Sequence, residues 1–221
     1  MSISRPDESI AVYGPLPPPY ETSFCAEMKS KFSDLEGLSN LFQYAREATS
    51  QLGEWCADQI WSFGLADEEA RKVERKAERL FLAEKEARPI EVLDAEIAQL
   101  REAMSLVKRH IFVPPTMSGN SISSKVLLLQ RYLQLVFEKA TDAKCIIFVK
   151  RRFTARVLGE LFARIGTPHL RLGILIGTRQ GEAGDVKVTF RQQIVTLMKF
   201  RKGDLNCLVS SYCPILRRHK Y

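Results

Sequence analysis

Three consecutive cations, Lys150, Arg151 and Arg152, stand directly after a short apolar run, Cys145–Val149. The run does not alternate between apolar and polar residues, which predicts a strand buried on both faces, as in a parallel sheet covered by helices. Ligands of such sheets lie beyond the carboxyl ends of the strands. Together with Thr154, the cations therefore form a candidate anion site, since arginine holds a phosphate through two parallel hydrogen bonds.

A glycine-containing loop after another apolar run is a second candidate anion site. It begins with Gly177, Thr178 and Arg179, and Gly181 and Gly184 follow. Backbone N–H groups and a guanidinium at the end of a strand suit a phosphate group. The loop is not a nucleotide-binding P-loop, because no Gly-Lys-Ser/Thr follows. A flexible surface turn is an equally good interpretation of these residues alone.

The elements that position both sites follow from the spacing of apolar residues. Apolar runs predict strands at 145–149, 171–176 and 205–210, with amphipathic helices between them and a turn at Gly203. Strands that alternate with helices predict a parallel sheet. The apolar face of the first of these helices is Phe153, Val157, Leu158, Leu161, Phe162 and Ile165.

Residues 21–113 carry an almost wholly helical pattern, preceded by a predicted strand at 8–13. Two apolar seams repeat at steps of three and four, which indicates helices packed against neighbours. Pro114-Pro115 and the small polar residues after it predict a linker, and the pattern at 122–136 predicts another helix. The first seam is Leu38, Leu41, Ala45, Ala48, Leu52 and Trp55; the second is Ile90, Leu93, Ile97, Leu100, Met104, Val107 and Ile111.

Positive charge is concentrated in one half of the 221 residues, whose formal net charge is +7. Residues 144–202 contain 13 Lys/Arg against three Asp/Glu, a net charge of +10. Such asymmetry favours a polyanionic partner, usually a phosphate backbone. The alternative is that these cations are solvated or pair with Glu160 or Asp185. Because the helical block lies beyond the linker, changes at 150–152 are expected to leave that block folded.

The sequence lacks the features of several other functional classes. Five cysteines form no CxxC pair and no Cys/His ligand set, so no metal site and a reducing compartment, cytoplasmic or nuclear, are expected. No stretch approaches the roughly 20 apolar residues that span a bilayer, and the N-terminus has no signal-peptide core. There is no GxxxxGK[ST] loop, no DExH-like tetrapeptide and no acidic metal pair. No catalytic residue is predicted.

Two segments resemble the second RecA-like domain of superfamily 2 RNA helicases. Their amino-acid sequence is most similar to the helicase region of fungal Dicer-type ribonucleases. IIFVKRRFTARVL (146–158) resembles the motif-IV strand and helix of that family, and 189–211 resembles the run into motif V. The resemblance is specific over 121–211 and weaker over 10–120. Where the family continues with an acidic, glycine-containing loop, this chain has Ser210-Ser-Tyr-Cys-Pro, which predicts a fragment truncated within the domain.

The resemblance implies an α/β fold with a large helical insertion. An entry strand and Pro-rich linker (1–20) precede a helical bundle at about 21–113. An incomplete parallel-sheet RecA-like domain (114–221) follows. In such relatives the insertion packs on double-stranded RNA. Residue by residue, the resemblance places the RNA-binding surface of this chain at Lys150, Arg151, Arg152, Thr154, Gly177, Thr178 and Arg179.

The resemblance also implies a function for the parent protein. The parent would bind double-stranded RNA, use ATP and Mg²⁺ to translocate or sense ends, and cut RNA into small interfering products. The implied partners are double-stranded RNA and the parent's first RecA-like and ribonuclease domains, whereas this chain itself needs no cofactor and contacts no membrane. A second hypothesis stays open: a helical protein-interaction scaffold with a small α/β cap and no role in RNA.

Overall fold

Helices and a small sheet account for most of the residues that the computed structural model describes, which are 21–66, 74–75, 77–79, 81–82, 90–177 and 188–211. The helices are α1 (Ser23–Phe32), α2 (Ser39–Leu52), α3 (Glu54–Gly64), α4 (Ile90–Arg109), α5 (Ser124–Lys139), α6 (Arg152–Ile165) and α7 (Phe190–Lys202). The strands are β1 (Cys145–Val149), β2 (Leu172–Leu175) and β3 (Cys207–Ser211). The predicted strand at 8–13 lies outside the described residues.

The three strands form a parallel sheet in the order β1-β3-β2. β1 and β3 are in register from the Cys145–Cys207 pair to the Val149–Ser211 pair. Helix α6 connects β1 to β2, and α7 connects β2 to β3. The predicted α/β fold, with a parallel sheet and a large helical part, is confirmed, and the strand limits agree within two residues.

The burial of β1 differs from the prediction. β1 lies at one edge of the sheet, and Phe148 exposes 69% of its surface. The strand buried along its whole length is the central one, β3. The prediction was wrong for β1 because an unbroken apolar run indicates a strand of a parallel sheet but not whether that strand is central.

A single glycine divides the first predicted seam into two helices. Helix α2 ends at Leu52 and α3 begins at Glu54, with Gly53 between them at φ 113° and ψ 173°. This backbone region is essentially restricted to glycine. The apolar spacing continues across the break because α2 and α3 pack in the same core.

The predicted linker that follows Pro115 is held against this break. Backbone carbonyls of the linker accept hydrogen bonds from the backbone N–H groups of the first residues of α3. The linker therefore packs against the helical block before α5 begins. The Ser123 hydroxyl donates to the Gln51 carbonyl at 2.8 Å and accepts from the first turn of α5. The backbone bonds run from Glu54 N–H to Asn120 C=O (3.0 Å), from Trp55 N–H to Ser121 C=O (3.1 Å) and from Ser123 N–H to Leu52 C=O (2.8 Å).

One hydrophobic core runs through the helical block and the sheet. It contains buried residues of α2, α3, α5 and α6 together with residues of β3. The predicted apolar face of α6 is confirmed, since its residues from Phe153 to Phe162 are buried there. Packing is therefore continuous between 21–113 and 114–221, and their division into separate domains stays a prediction.

The second predicted seam packs only along its central part. Leu100 and Val107 of α4 are buried, whereas Ile90 is 62% exposed and Ile111, beyond the end of the helix, is 84% exposed. The periodicity located the helix correctly but extended its buried face too far at both ends. None of the helices in the described part of the chain is long and apolar enough to cross a bilayer.

Candidate nucleic-acid interface

A groove of about 520 Å³ opens at the carboxyl end of β1, between α2, α5 and the start of α6. We call it the β1 groove. Three cations line it, Lys125, Lys150 and Arg151, with one carboxylate, Glu47. The N-terminus of α6, whose backbone dipole attracts negative charge, lies at the same place. The excess of positive charge makes this end of the sheet suitable for an anionic ligand.

The residues predicted around this strand end lie in different environments. Lys150 is exposed in the turn before α6, whereas the Arg151 side chain exposes only 25% of its surface. Arg152 is the first residue of α6 and is half-buried. Thr154, in the first turn of α6, lines the groove. The structure thus brings Lys150, Arg151 and Thr154 together, and their contact with RNA stays a prediction.

The second predicted site begins at the other edge of the sheet. Gly177 follows β2 and is half-buried, whereas Thr178 and Arg179 lie outside the described residues. The strands are parallel, so Gly177 and Lys150 lie at the same end of the sheet. They are two strand spacings apart, roughly 10 Å.

Arg151 is bound by the helical block. Its Nε and Nη2 atoms donate to the two carboxylate oxygens of Glu47 at 2.5 and 2.7 Å. Its guanidinium carbon lies 4.6 Å from the centroid of the Tyr44 ring. Arg151 therefore joins α2 to the start of α6, so the helical block is not independent of residues 150–152. That the block stays folded when these residues are changed remains a prediction.

Two further arginines of α6 stack on aromatic rings of the helical block. The guanidinium carbon of Arg156 lies 4.2 Å from the Phe63 centroid, and that of Arg164 lies 5.7 Å from the Trp55 centroid. Such contacts attract a cation to the face of a ring. Part of the positive charge of residues 144–202 therefore faces protein, and the charge count overestimates the surface available to a polyanion.

The Glu47–Arg151 pair makes stability depend on pH. Hydrogen bonds from Arg151 lower the pKa of Glu47 below its ordinary value. A carboxylate with a lowered folded-state pKa stabilises the fold fully above its unfolded pKa of about 4.3, and this stabilisation is lost as the pH falls through the folded value.

We therefore expect Glu47→Gln to lower the free energy of unfolding at neutral pH. This loss should become smaller as the pH falls from about 4.3 to the folded-state pKa, and it should be smallest below that pKa. Urea unfolding of both proteins across this range measures the difference. If Glu47→Gln lowers the free energy of unfolding equally at neutral and acidic pH, the ion pair with Arg151 is not the cause of the loss.

Lys125 was not identified from the sequence. Its Nζ donates to Gln51 Oε1 at 2.8 Å on the groove lining. Lys125 reaches the groove because α5 starts where the linker returns to the end of α2. No local pattern links it with Lys150, since their proximity depends on packing between separate helices and the sheet.

Gln193 of α7 is buried. It is 1% exposed, and its side-chain amide donates to the Ile176 carbonyl. Gln192 forms a capping box with Thr189 at the start of α7. Gln193 thus holds α7 to the end of β2, whereas Gln192 caps the helix. The sequence alone does not show which of the two glutamines has which role.

The described residues do not provide a metal site. No group of three or more His, Cys, Asp and Glu side chains lies together in this part of the chain. The ATP and Mg²⁺ that the resemblance assigns to the parent stay a prediction, and no step of the function proposed below passes through them.

Comparison with known proteins identifies the family. The chain is 40% identical over 209 residues to Dicer-like protein 1 of Aspergillus clavatus, a match that covers 95% of this chain and 14% of that protein. It is 40% identical over 210 residues to Dicer-like protein 1 of Phaeosphaeria nodorum, with the same coverage. The chain is a homologue of one part of the fungal Dicer-like proteins. The predicted family is confirmed.

The Dicer-like relatives are much longer, and the chain spans only 14% of their length. No family model matches the chain. One similar solved structure is the Hef helicase domain of Pyrococcus furiosus, with a TM-score of 0.40 and 18% identity, covering 84% of this chain and 33% of that chain. At this score the likeness does not by itself define the fold.

Proposed function

We propose that this chain is part of the helicase region of a Dicer-like RNA-silencing protein and binds the backbone of double-stranded RNA at the β1 groove. The observation that carries the proposal is the groove's position and charge: three cations against one carboxylate at the carboxyl end of a parallel strand. The identity of 40% with Dicer-like proteins supports the choice of RNA as the polyanion.

The residues of the groove suit backbone contacts. Double-stranded RNA is recognised mostly by shape, through phosphates and 2′-hydroxyls. Lys150 is exposed and supplies an accessible positive charge, and the Thr154 hydroxyl suits a phosphate oxygen or a 2′-hydroxyl. The N-terminus of α6 adds backbone N–H groups that favour an anion. Contacts of this kind do not read bases, so we expect binding to be independent of sequence.

For the whole protein, we propose ATP-dependent translocation along duplex RNA or sensing of its ends, followed by cutting into small interfering products. The first RecA-like domain and the ribonuclease domains would be partners within the same protein, in the cytoplasm or nucleus. In this scheme the chain binds and positions RNA, and other domains perform hydrolysis.

One observation favours a second candidate function, the protein-interaction scaffold. Arg151, Arg156 and Arg164 contact aromatic rings of the helical block, so these cations serve the packing of the molecule. If all of the basic residues of this half had such roles or were only solvated, the β1 groove would have no particular affinity for RNA.

Replacing Lys150 with alanine separates the two functions. We expect this change to weaken binding of a fluorescein-labelled blunt RNA duplex by about tenfold, because a charge-assisted hydrogen bond is lost. Lys139→Ala is the matched control, since it removes the same charge from the exposed far end of α5. Fluorescence anisotropy at one salt concentration measures both. Equal losses in the two variants would show that only the total charge matters.

A further inference from the structure

Helix α7 presents an apolar stripe to solvent. Phe190, Ile194 and Met198 follow one another at four-residue intervals and are 60%, 43% and 46% exposed. Val195 beside them is 45% exposed. A contiguous exposed group of large apolar side chains on a soluble domain commonly marks a contact surface.

A neighbouring face of α7 holds the helix to the sheet. Leu197 and Phe200 pack against the buried pair Leu175 and Leu208, and Gln193 is bonded to the end of β2. The stripe therefore lies on the side that no described element covers. It is also separate from the β1 groove, whose lining comes from α2, α5, β1 and α6.

All of the charged side chains of α7 are positive. Arg191, Lys199, Arg201 and Lys202 are all exposed, and α7 contains no Asp or Glu. The last three lie in the C-terminal turns, where cations stabilise a helix through its dipole. Arg191 lies in the first turn, where a cation is unfavourable to the helix, so the stability of α7 does not explain it.

We propose that this face of α7 docks an amphipathic helix of a partner protein, one whose apolar stripe is bordered by Asp and Glu. Side chains at positions i, i+4 and i+8 form a ridge that packs along a facing helix, with apolar anchors in the middle. The 13 residues of α7 extend over about 20 Å, which a partner helix of about four turns matches. The exposed cations of α7 then face carboxylates of the partner helix.

Charge decides between the possible occupants of this surface. A second copy of the chain, paired through the same face, would bring the four cations of one α7 against those of the other, which is unfavourable. Duplex RNA would match the cations but leave Ile194, Val195 and Met198 against phosphates. An acidic amphipathic helix matches both the charge and the apolar stripe.

The test uses a synthetic peptide and the full chain. The probe is a labelled helix with leucine along one face and glutamate on both flanks, and its control is a scrambled peptide of the same composition without an apolar face. Fluorescence anisotropy should show the ordered peptide binding at least about tenfold more tightly than the scrambled one. Ile194→Ser with Met198→Ser should weaken ordered-peptide binding by about tenfold.

A matched control and the melting temperature keep this test decisive. Leu135→Ser removes an apolar side chain of α5 that is 48% exposed, and it should leave peptide affinity unchanged. The double variant should have the same melting temperature as the parent chain, because both substituted positions are substantially exposed.

Equal binding of both peptides, or a double variant that binds as tightly as the parent, would overturn the proposal. A double variant that loses affinity for duplex RNA or for phosphatidylserine vesicles, with peptide binding unchanged, would also overturn it.

Discussion

Replacing Gly53 with alanine is expected to lower the free energy of unfolding by about 3 kcal/mol, the largest effect we predict for a single residue. A Cβ atom at this position would lie 2.6 Å from the Ser121 carbonyl oxygen and 2.7 Å from the Ser123 nitrogen. Both atoms belong to the linker backbone that bonds to α2 and α3, so they cannot withdraw without losing hydrogen bonds. The φ of 113° adds strain for any residue with a side chain.

Gly166→Ala is the matched control for this change. Gly166 has a φ of 62° at the end of α6, but a Cβ atom there would meet nothing within 4 Å. It should therefore cost only about 1 kcal/mol of left-handed strain. Urea unfolding followed by tryptophan fluorescence suits both variants, since Trp55 and Trp61 of α3 are buried. If both substitutions lower the free energy of unfolding equally, the close approach of the linker backbone to Gly53 does not contribute to the loss.

Replacing Arg151 with alanine is expected to lower the free energy of unfolding by about 2 kcal/mol. The change removes two charge-assisted hydrogen bonds to Glu47 and the contact with the Tyr44 ring, and it leaves Glu47 without this partner. The magnitude is moderate because the Glu47 side chain is 38% exposed and water takes over part of the interaction.

The control for Arg151→Ala is a substitution in an exposed ion pair that lies within a single helix. Lys31 and Glu27 of α1 are joined at 2.8 Å, and their side chains are 47% and 43% exposed. Lys31→Ala should lower the free energy of unfolding much less than Arg151→Ala, because water screens an ion pair between exposed side chains. Denaturant unfolding of both variants at neutral pH makes the measurement. If Arg151→Ala costs no more than Lys31→Ala, Arg151 does not connect the helical block to α6.

The features predicted correctly are those that a short stretch of chain determines. The strand at Cys145–Val149 was predicted with its observed limits, because an apolar run between polar residues is a local signal. The buried face of α6 and the turn at Gly203, which has a φ of 89°, follow from helical spacing and from glycine's conformational freedom. The cations at the strand end lie where the parallel-sheet rule placed them.

The features that were missed depend on contacts between distant parts of the chain. Whether β1 is an edge or a central strand is decided by where β3 pairs, and β3 follows much later in the sequence. Gly53 stands within an unbroken apolar seam, so only the returning linker shows why the helix stops there. Arg151 was considered beside Glu160 and Asp185, whereas its partner Glu47 is on α2.

The salt dependence of duplex RNA binding tests the central claim most directly. Log affinity should fall linearly with log salt concentration for the parent chain, because bound cations release counterions from the RNA backbone. Changing both Lys125 and Lys150 to alanine should make that slope shallower by about two units, roughly one for each lost phosphate contact. An unchanged slope in the double variant, or no measurable RNA binding by the parent chain at low salt, would contradict RNA binding at the β1 groove and favour the scaffold.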